Sequence, residues 1–66
     1  MEVGQVLHNG ATVIAWNNQV ILARWTNDIT PYVTWKWYRK EPRTTSHGKY
    51  HVSLEDAYDD FFSRSI

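Results

Sequence analysis

Cysteine is absent from this 66-residue chain. Neither a disulfide nor a zinc-thiolate site can therefore hold it together. Proline occurs twice and glycine three times. With so few glycines and none clustered, no glycine-rich loop is present to cradle a phosphate with backbone amides. Neither sign of charge dominates, because seven basic and seven acidic residues cancel to a formal net charge of zero. A dedicated nucleic-acid binder is usually basic, so this balance weighs against one. Long apolar runs are missing too. Val13-Ile14-Ala15-Trp16 and Val20-Ile21-Leu22-Ala23 are the longest, far short of the roughly 20 residues of a membrane helix. The start, Met1-Glu2-Val3-Gly4-Gln5, lacks the basic residues and apolar stretch of a signal peptide. The expectation is a cytoplasmic protein with no membrane partner.

Aromatic side chains are what the chain has in quantity: four Trp, four Tyr and two Phe, 15% of all residues. A chain of this length forms one domain, residues 1–66, and buries only about 60% of its unfolded surface. Each buried aromatic removes roughly 150–250 Å² from water, so these rings are the expected compensation for a small core. Self-association into a homodimer is a second route to the same end.

Hydropathy patterning divides the chain into a β-meander at 1–40, a loop at 41–52 and a helix at 53–65. The first candidate strand covers 3–7 and is followed by His8-Asn9-Gly10, whose Asn-Gly pair is a strong hairpin signal. Residues 11–16 form the second strand, and Asn17-Asn18 a two-residue turn. A third strand spans 19–26, and 27–31 form a turn-rich connection. The fourth, 32–39, is rich in aromatic and β-branched residues. Its period of two puts Val33, Trp35 and Trp37 on one face and Thr34, Lys36 and Tyr38 on the other. The second strand divides in the same way into Val13 and Ala15 against Ile14 and Trp16.

Lys40 to Lys49 carries the punctuation of a loop, and Tyr50-His51-Val52 a brief extended segment. The period then changes to about 3.6, with Leu54, Ala57, Tyr58, Phe61 and Phe62 forming an apolar stripe. Ser53 is a good N-cap, with Asp56 three residues on and Arg64 in the last turn. The expected fold class is α+β: an antiparallel four-stranded meander, with room for a fifth short strand, and one C-terminal helix packed on one face. In that arrangement Leu54, Tyr58, Phe61 and Phe62 bury against the Val33, Trp35 and Trp37 face.

Residues 32–64 also resemble a loose pattern found in small phage, plasmid and bacterial proteins. The matching features are the Trp-bearing strand Tyr32-Val33-Thr34-Trp35-Lys36-Trp37-Tyr38, then Gly48-Lys49-Tyr50, then Ser53-Leu54-Glu55-Asp56-Ala57 and Asp60-Phe61-Phe62-Ser63-Arg64. That group carries no agreed activity. The resemblance implies the same fold and a mobile-element origin, and it transfers no catalytic residue.

Candidate functional residues fall into four sets. His47 and His51 have the spacing of a helical metal pair, but they lie in loop and strand, where an i, i+4 pair stands about 13 Å apart. Solvated histidines are the expected reading, with no metal and no cofactor. Ser, His and Asp are all present but no G-x-S-x-G elbow is, so no catalytic residue is assigned and an enzyme is not expected. Lys36, Tyr38, Arg39, Lys40 and Arg43 interleave bases with an aromatic, the pattern of a single-strand nucleic-acid contact. Strict alternation equally explains them as the solvent side of a strand. Finally Trp16, Trp25, Glu55, Asp59 and Asp60 are candidate protein contacts, the rings because aromatics dominate interface hot spots and the acids as a patch for a basic partner. The expectation is a non-catalytic protein-binding or regulatory module. Nucleic-acid binding through 35–43 is the alternative.

Overall fold

A computed structural model gives the fold of residues 1–7, 9–25, 29–38 and 40–64, and of 42–44 the backbone only. Four antiparallel strands form one sheet in the order β1-β2-β3-β4: β1 Thr12–Trp16, β2 Val20–Arg24, β3 Tyr32–Tyr38 and β4 Glu41–His51. One helix, α1 Leu54–Arg64, packs on that sheet, so the class is α+β. Among the described residues no helix is long and apolar enough to cross a membrane.

Local chemistry explains how the chain enters each element. Asn17 makes the β1–β2 turn: its side-chain oxygen accepts from the amides of Gln19 and Val20, both at 2.8 Å. Its own carbonyl is thereby left to accept from the Trp37 indole at 2.6 Å, which ties the turn to β3. At the helix start Ser53 Oγ accepts from the Asp56 amide at 3.2 Å and the Ser53 carbonyl from Ala57 at 3.1 Å, an N-cap as the sequence predicts. Glu55 and Asp56 face the positive end of the helix dipole and Arg64 stands in the last turn.

The segment 3–7 is not a full strand. It is hydrogen-bonded to the chain at 11–13, with Gly4 N donating to the Val13 carbonyl at 2.8 Å, Val13 N to the Gln5 carbonyl at 2.9 Å and Leu7 N to the Ala11 carbonyl at 2.7 Å. Among the described residues, however, only Val6 and Thr12 pair as strand residues do, and Val3 and Val6 are exposed. Gly4 and Gly10 both have φ near +90°, a region open to glycine at little cost, and they bend the segment so that Leu7 and Ala11 drop into the core. Of the expected His8-Asn9-Gly10 turn, His8 lies outside the described residues. Asn9 Oδ1 accepts from the Ala11 amide at 3.1 Å.

The expected loop at 41–52 is the fourth strand instead. A run of Glu, Pro, Arg, Thr and Ser resembles a loop by composition, yet β4 is an edge strand, where Pro and charged residues are tolerated. It is also irregular. Lys49 pairs with Thr34 and Ser46 with Lys36, so His47 and Gly48 together oppose Trp35. His47 has φ +53°, the left-handed geometry of a bulge. An alanine Cβ at Gly48 would lie 2.7 Å from Trp35 Nε1, so the missing side chain is what lets the indole close over the bulge.

The helix covers the face opposite to the one expected. It packs Ala57 and Phe61 on Val20 and Leu22, with Tyr32, Ile14 and Ala15 around them. Val33, Trp35 and Trp37 lie on the other face with Val13, Ile21 and Ala23, covered by Leu7, Ala11, Met1, Trp16 and Trp25. Alternation sorts residues into two faces but cannot say which one a helix will cover, and here both are buried. A bulge shifts β1 as well. Val13 opposes Ala23 and Ala15 opposes Leu22, so Ile14 is the extra residue, Ile14 and Ala15 both belong to the helix side, and Val13 joins Trp16 on the other.

Candidate functional site

A polar network fills one seam between α1 and the sheet. Thr34, in the middle of β3, is fully buried, and its hydroxyl donates to Asp60 Oδ2. Arg64, one helical turn beyond Asp60, donates from Nη1 to Thr34 Oγ1 at 3.1 Å and to the Thr34 carbonyl at 3.2 Å. Its Nη2 donates to the His47 carbonyl at 2.6 Å. That acceptor is exposed by the bulge, so the irregularity in β4 is also what anchors the end of the helix. His51 Nε2 stands 3.5 Å from Asp60 Oδ2, and Lys49 Nζ lies 3.6 Å from Oδ1.

Burial by itself would raise the Asp60 carboxyl. The Thr34 hydrogen bond and the cations Lys49 and Arg64 outweigh it and hold the carboxyl below its ordinary value. Asp60 therefore does not belong to an exposed acidic patch: its side chain is 14% exposed and turned inward. Glu55 and Asp59, the other two acids of the expected patch, are exposed.

Thr34, His51 and Asp60 resemble a hydroxyl–imidazole–carboxylate set, so their geometry matters. In a relay the imidazole uses one nitrogen for the nucleophile and the other for the carboxylate. Here Nε2 meets both, at 3.3 Å from Thr34 Oγ1 and 3.5 Å from Asp60 Oδ2, and the hydroxyl is sealed from solvent. What the arrangement does is lock helix to sheet. His47 stands on the bulge with Nδ1 2.9 Å from Ser46 Oγ, while His51 points under the helix. Among the described residues no cluster of three or more His, Cys, Asp or Glu could hold a metal.

The basic candidates lie at one end of the sheet. Lys36, Tyr38 and Lys40 are exposed, and Lys36, Trp37 and Tyr38 line a shallow depression of about 260 Å³ with Asn18 and Gln19. Arg39 lies outside the described residues, as does the side chain of Arg43. Trp16 and Trp25 are half-buried rather than free. Trp16 meets Trp37 edge-on at 6.0 Å, and Trp25 packs on Trp35 at 5.6 Å and on Tyr50 at 6.1 Å.

The second seam of the helix is apolar and open. Leu54, Tyr58 and Phe62 follow one another at four-residue intervals, each one turn beyond the last. Phe62 is 62% exposed and stacks on Tyr58 at 5.9 Å with an interplanar angle of 24°. Leu54 is 37% exposed. Phe61, by contrast, is buried and touches Phe62 edge-on at 5.5 Å. The backbone of α1 lies over β2, β3 and β4 and not over β1, and half-buried Ile14 and Ala15 of β1 floor this side of the cluster. The helical stripe in the sequence identified these residues but counted all of them as core; an 11-residue helix lying over three strands has room to bury only its central line.

Comparison with protein-family models, with curated proteins and with solved structures gives no match.

Proposed function

We propose that this chain is a small, non-catalytic protein-binding module that docks through the open flank of α1. The observation that carries the reading is Phe62, an aromatic ring left largely in water although its neighbour Phe61 is buried in the core and Asp60 and Arg64 are hydrogen-bonded to the sheet. Leu54 and Tyr58 extend that ring into a stripe. Burying an exposed Phe is worth roughly 1.5–3 kcal/mol, and aromatic anchors of this kind dominate interface energies.

Capture from the native host by the wild-type chain, compared with Phe62→Ser, tests it. A partner held by the wild type and lost on Phe62→Ser supports the flank; a partner retained equally by both removes it. A second reading, single-strand nucleic-acid binding, draws on the depression beside Trp37, where exposed Tyr38 offers a stacking face and Lys36 and Lys40 offer charge. Titration with oligonucleotides at two salt concentrations decides it, since phosphate contacts give a steep salt slope.

A further inference from the structure

We propose that the depression at the Lys36 end of the sheet is a subsite for one nucleotide. The base stacks on Tyr38, its edge meets the side-chain amides of Asn18 and Gln19, and its phosphate meets Lys36. This rests on the second, nucleic-acid reading of that depression and is independent of the α1 flank. At about 260 Å³ the space is below the roughly 300–1,000 Å³ of pockets for drug-sized ligands, so it suits one base with its phosphate and not a longer stretch of strand. Its lining combines three chemistries. Tyr38 is 51% exposed and offers a ring face to a flat ligand. Each side-chain amide sets a donor beside an acceptor, the pattern that pairs bidentately with the edge of adenine. Lys36 offers a cation, and it is outside the ion pairs among the described residues. A nucleotide carries the plane, the edge and the anion together. Inorganic phosphate carries only the last, and a neutral sugar lacks it.

The walls of the depression are held in place before a ligand arrives. Asn17 Oδ1 accepts from the Gln19 and Val20 amides, and the Asn17 carbonyl accepts from the Trp37 indole. The Trp37 amide in turn donates to the Gln19 carbonyl at 3.2 Å. The β1–β2 turn is thus pinned to β3 on both sides of Asn18, with Asn18 and Gln19 beside Lys36 and Tyr38. Binding then orders side chains and not backbone, which lowers its cost. Charge favours an anion at this end. From 29 to 54 the one acid in the sequence is Glu41, against Lys36, Arg39, Lys40, Arg43 and Lys49. Lys36 and Lys40 are exposed. Glu55 and Asp56 lie in the first turn of α1, at the other end, where His51 pairs with Tyr32 and β4 leads into the helix. A net charge of zero therefore conceals a basic end whose potential draws in anions.

Amide NMR shifts of the isotope-labelled chain test this, in titrations with adenosine 5′-monophosphate, adenosine, inorganic phosphate and a short oligoadenylate. The monophosphate should shift the amides of Asn18, Gln19, Lys36, Trp37 and Tyr38 and saturate with a dissociation constant on the order of 0.1–5 mM. Adenosine and phosphate should each bind at least about tenfold more weakly. Tyr38→Ala, Gln19→Ala and Lys36→Gln should each weaken the monophosphate at least about fivefold and leave the urea midpoint unchanged, because all three side chains are exposed. Monophosphate shifts that do not saturate below about 20 mM, that fall outside this set of amides, that phosphate alone reproduces with equal affinity, or that survive both Tyr38→Ala and Lys36→Gln overturn the inference. The oligoadenylate separates the two sources of a nucleotide. Affinity through the same amides that rises by more than the number of residues in the strand makes a strand the ligand, and a smaller rise makes it the free nucleotide. Oligoadenylate binding without monophosphate binding removes the subsite and leaves the nucleic-acid reading standing. Absence of both removes both.

Discussion

Substituting Gly48 by alanine would drive a methyl group against the Trp35 indole, whose Nε1 would lie 2.7 Å from the new carbon. Trp35 is part of the packed cluster with Val33 and Trp37, so neither side can give way freely. Overpacking of this kind costs about 1–3 kcal/mol; a urea titration followed by tryptophan emission should show a lower midpoint and an altered native spectrum. Asp60 offers a second measurement. Its folded-state carboxyl is held below the ordinary value of 3.8, so its contribution to stability is complete above that value and is lost as pH falls through the lower, folded one. Asp60→Asn should therefore cost about 1–3 kcal/mol near neutral pH, and the gap between variant and wild-type midpoints should narrow as the pH falls below 3.8 and through the lower, folded value. A gap that stays constant with pH would mean the carboxylate charge contributes nothing. No spacing rule reveals Asp60. On a helical wheel it borders the polar face, and only the burial of Thr34 opposite makes it an internal group.

Among the elements, α1 was the most legible, since its cap, stripe and final cation all coincide in 12 consecutive residues from Ser53 to Arg64. Ser53→Ala removes the acceptor for the Asp56 amide and should destabilise the protein by about 1 kcal/mol, read from thermal unfolding by circular dichroism. The two adjacent phenylalanines should behave quite differently. Phe61→Ala empties part of the core and should cost about 3–5 kcal/mol, whereas Phe62→Ala should change stability by no more than about 0.5 kcal/mol. Equal costs would contradict the observed burial. β2 and β3 were legible from their branched and aromatic residues. β4 was hidden because an edge strand needs no apolar alternation on its outer residues, and because its two irregularities, at 47–48 and at 42–44, break whatever period it has. In β1 a single extra residue, Ile14, reversed the expected faces of the two residues flanking that position on the C-terminal side.

At the scale of the whole molecule, the two apolar clusters are not separate domains. β2 and β3 contribute to both, with Val20 and Leu22 on one face and Ile21, Ala23 and Val33 on the other. Losing either cover exposes a sheet face that the other cannot shield. Unfolding should therefore be a single transition, with tryptophan emission reporting the first cluster and far-ultraviolet circular dichroism reporting α1. The two denaturation curves should superimpose, and a helix signal lost well before the indole signal would show that α1 is only loosely attached. Composition pointed to the rings as the core, yet only Trp35, Trp37 and Phe61 of them are buried, and aliphatic side chains from β1, β2 and β3 fill most of the interior; the period change near Val52 marked the class. The face that received the helix is the one carrying Thr34, whose buried hydroxyl is met there by Asp60, Arg64 and His51.

Thr34 also acts as an index mark. Strand pairing is otherwise degenerate in a sheet whose two sides are both greasy, and a slip by one residue would present Val33 or Trp35 to Asp60 and Arg64. Carboxylate and guanidinium would then face hydrocarbon with nothing to accept or donate, a mismatch far costlier than the apolar contacts exchanged. One hydroxyl in mid-ribbon thus makes the wrong alignments of β3 expensive without adding much to the right one.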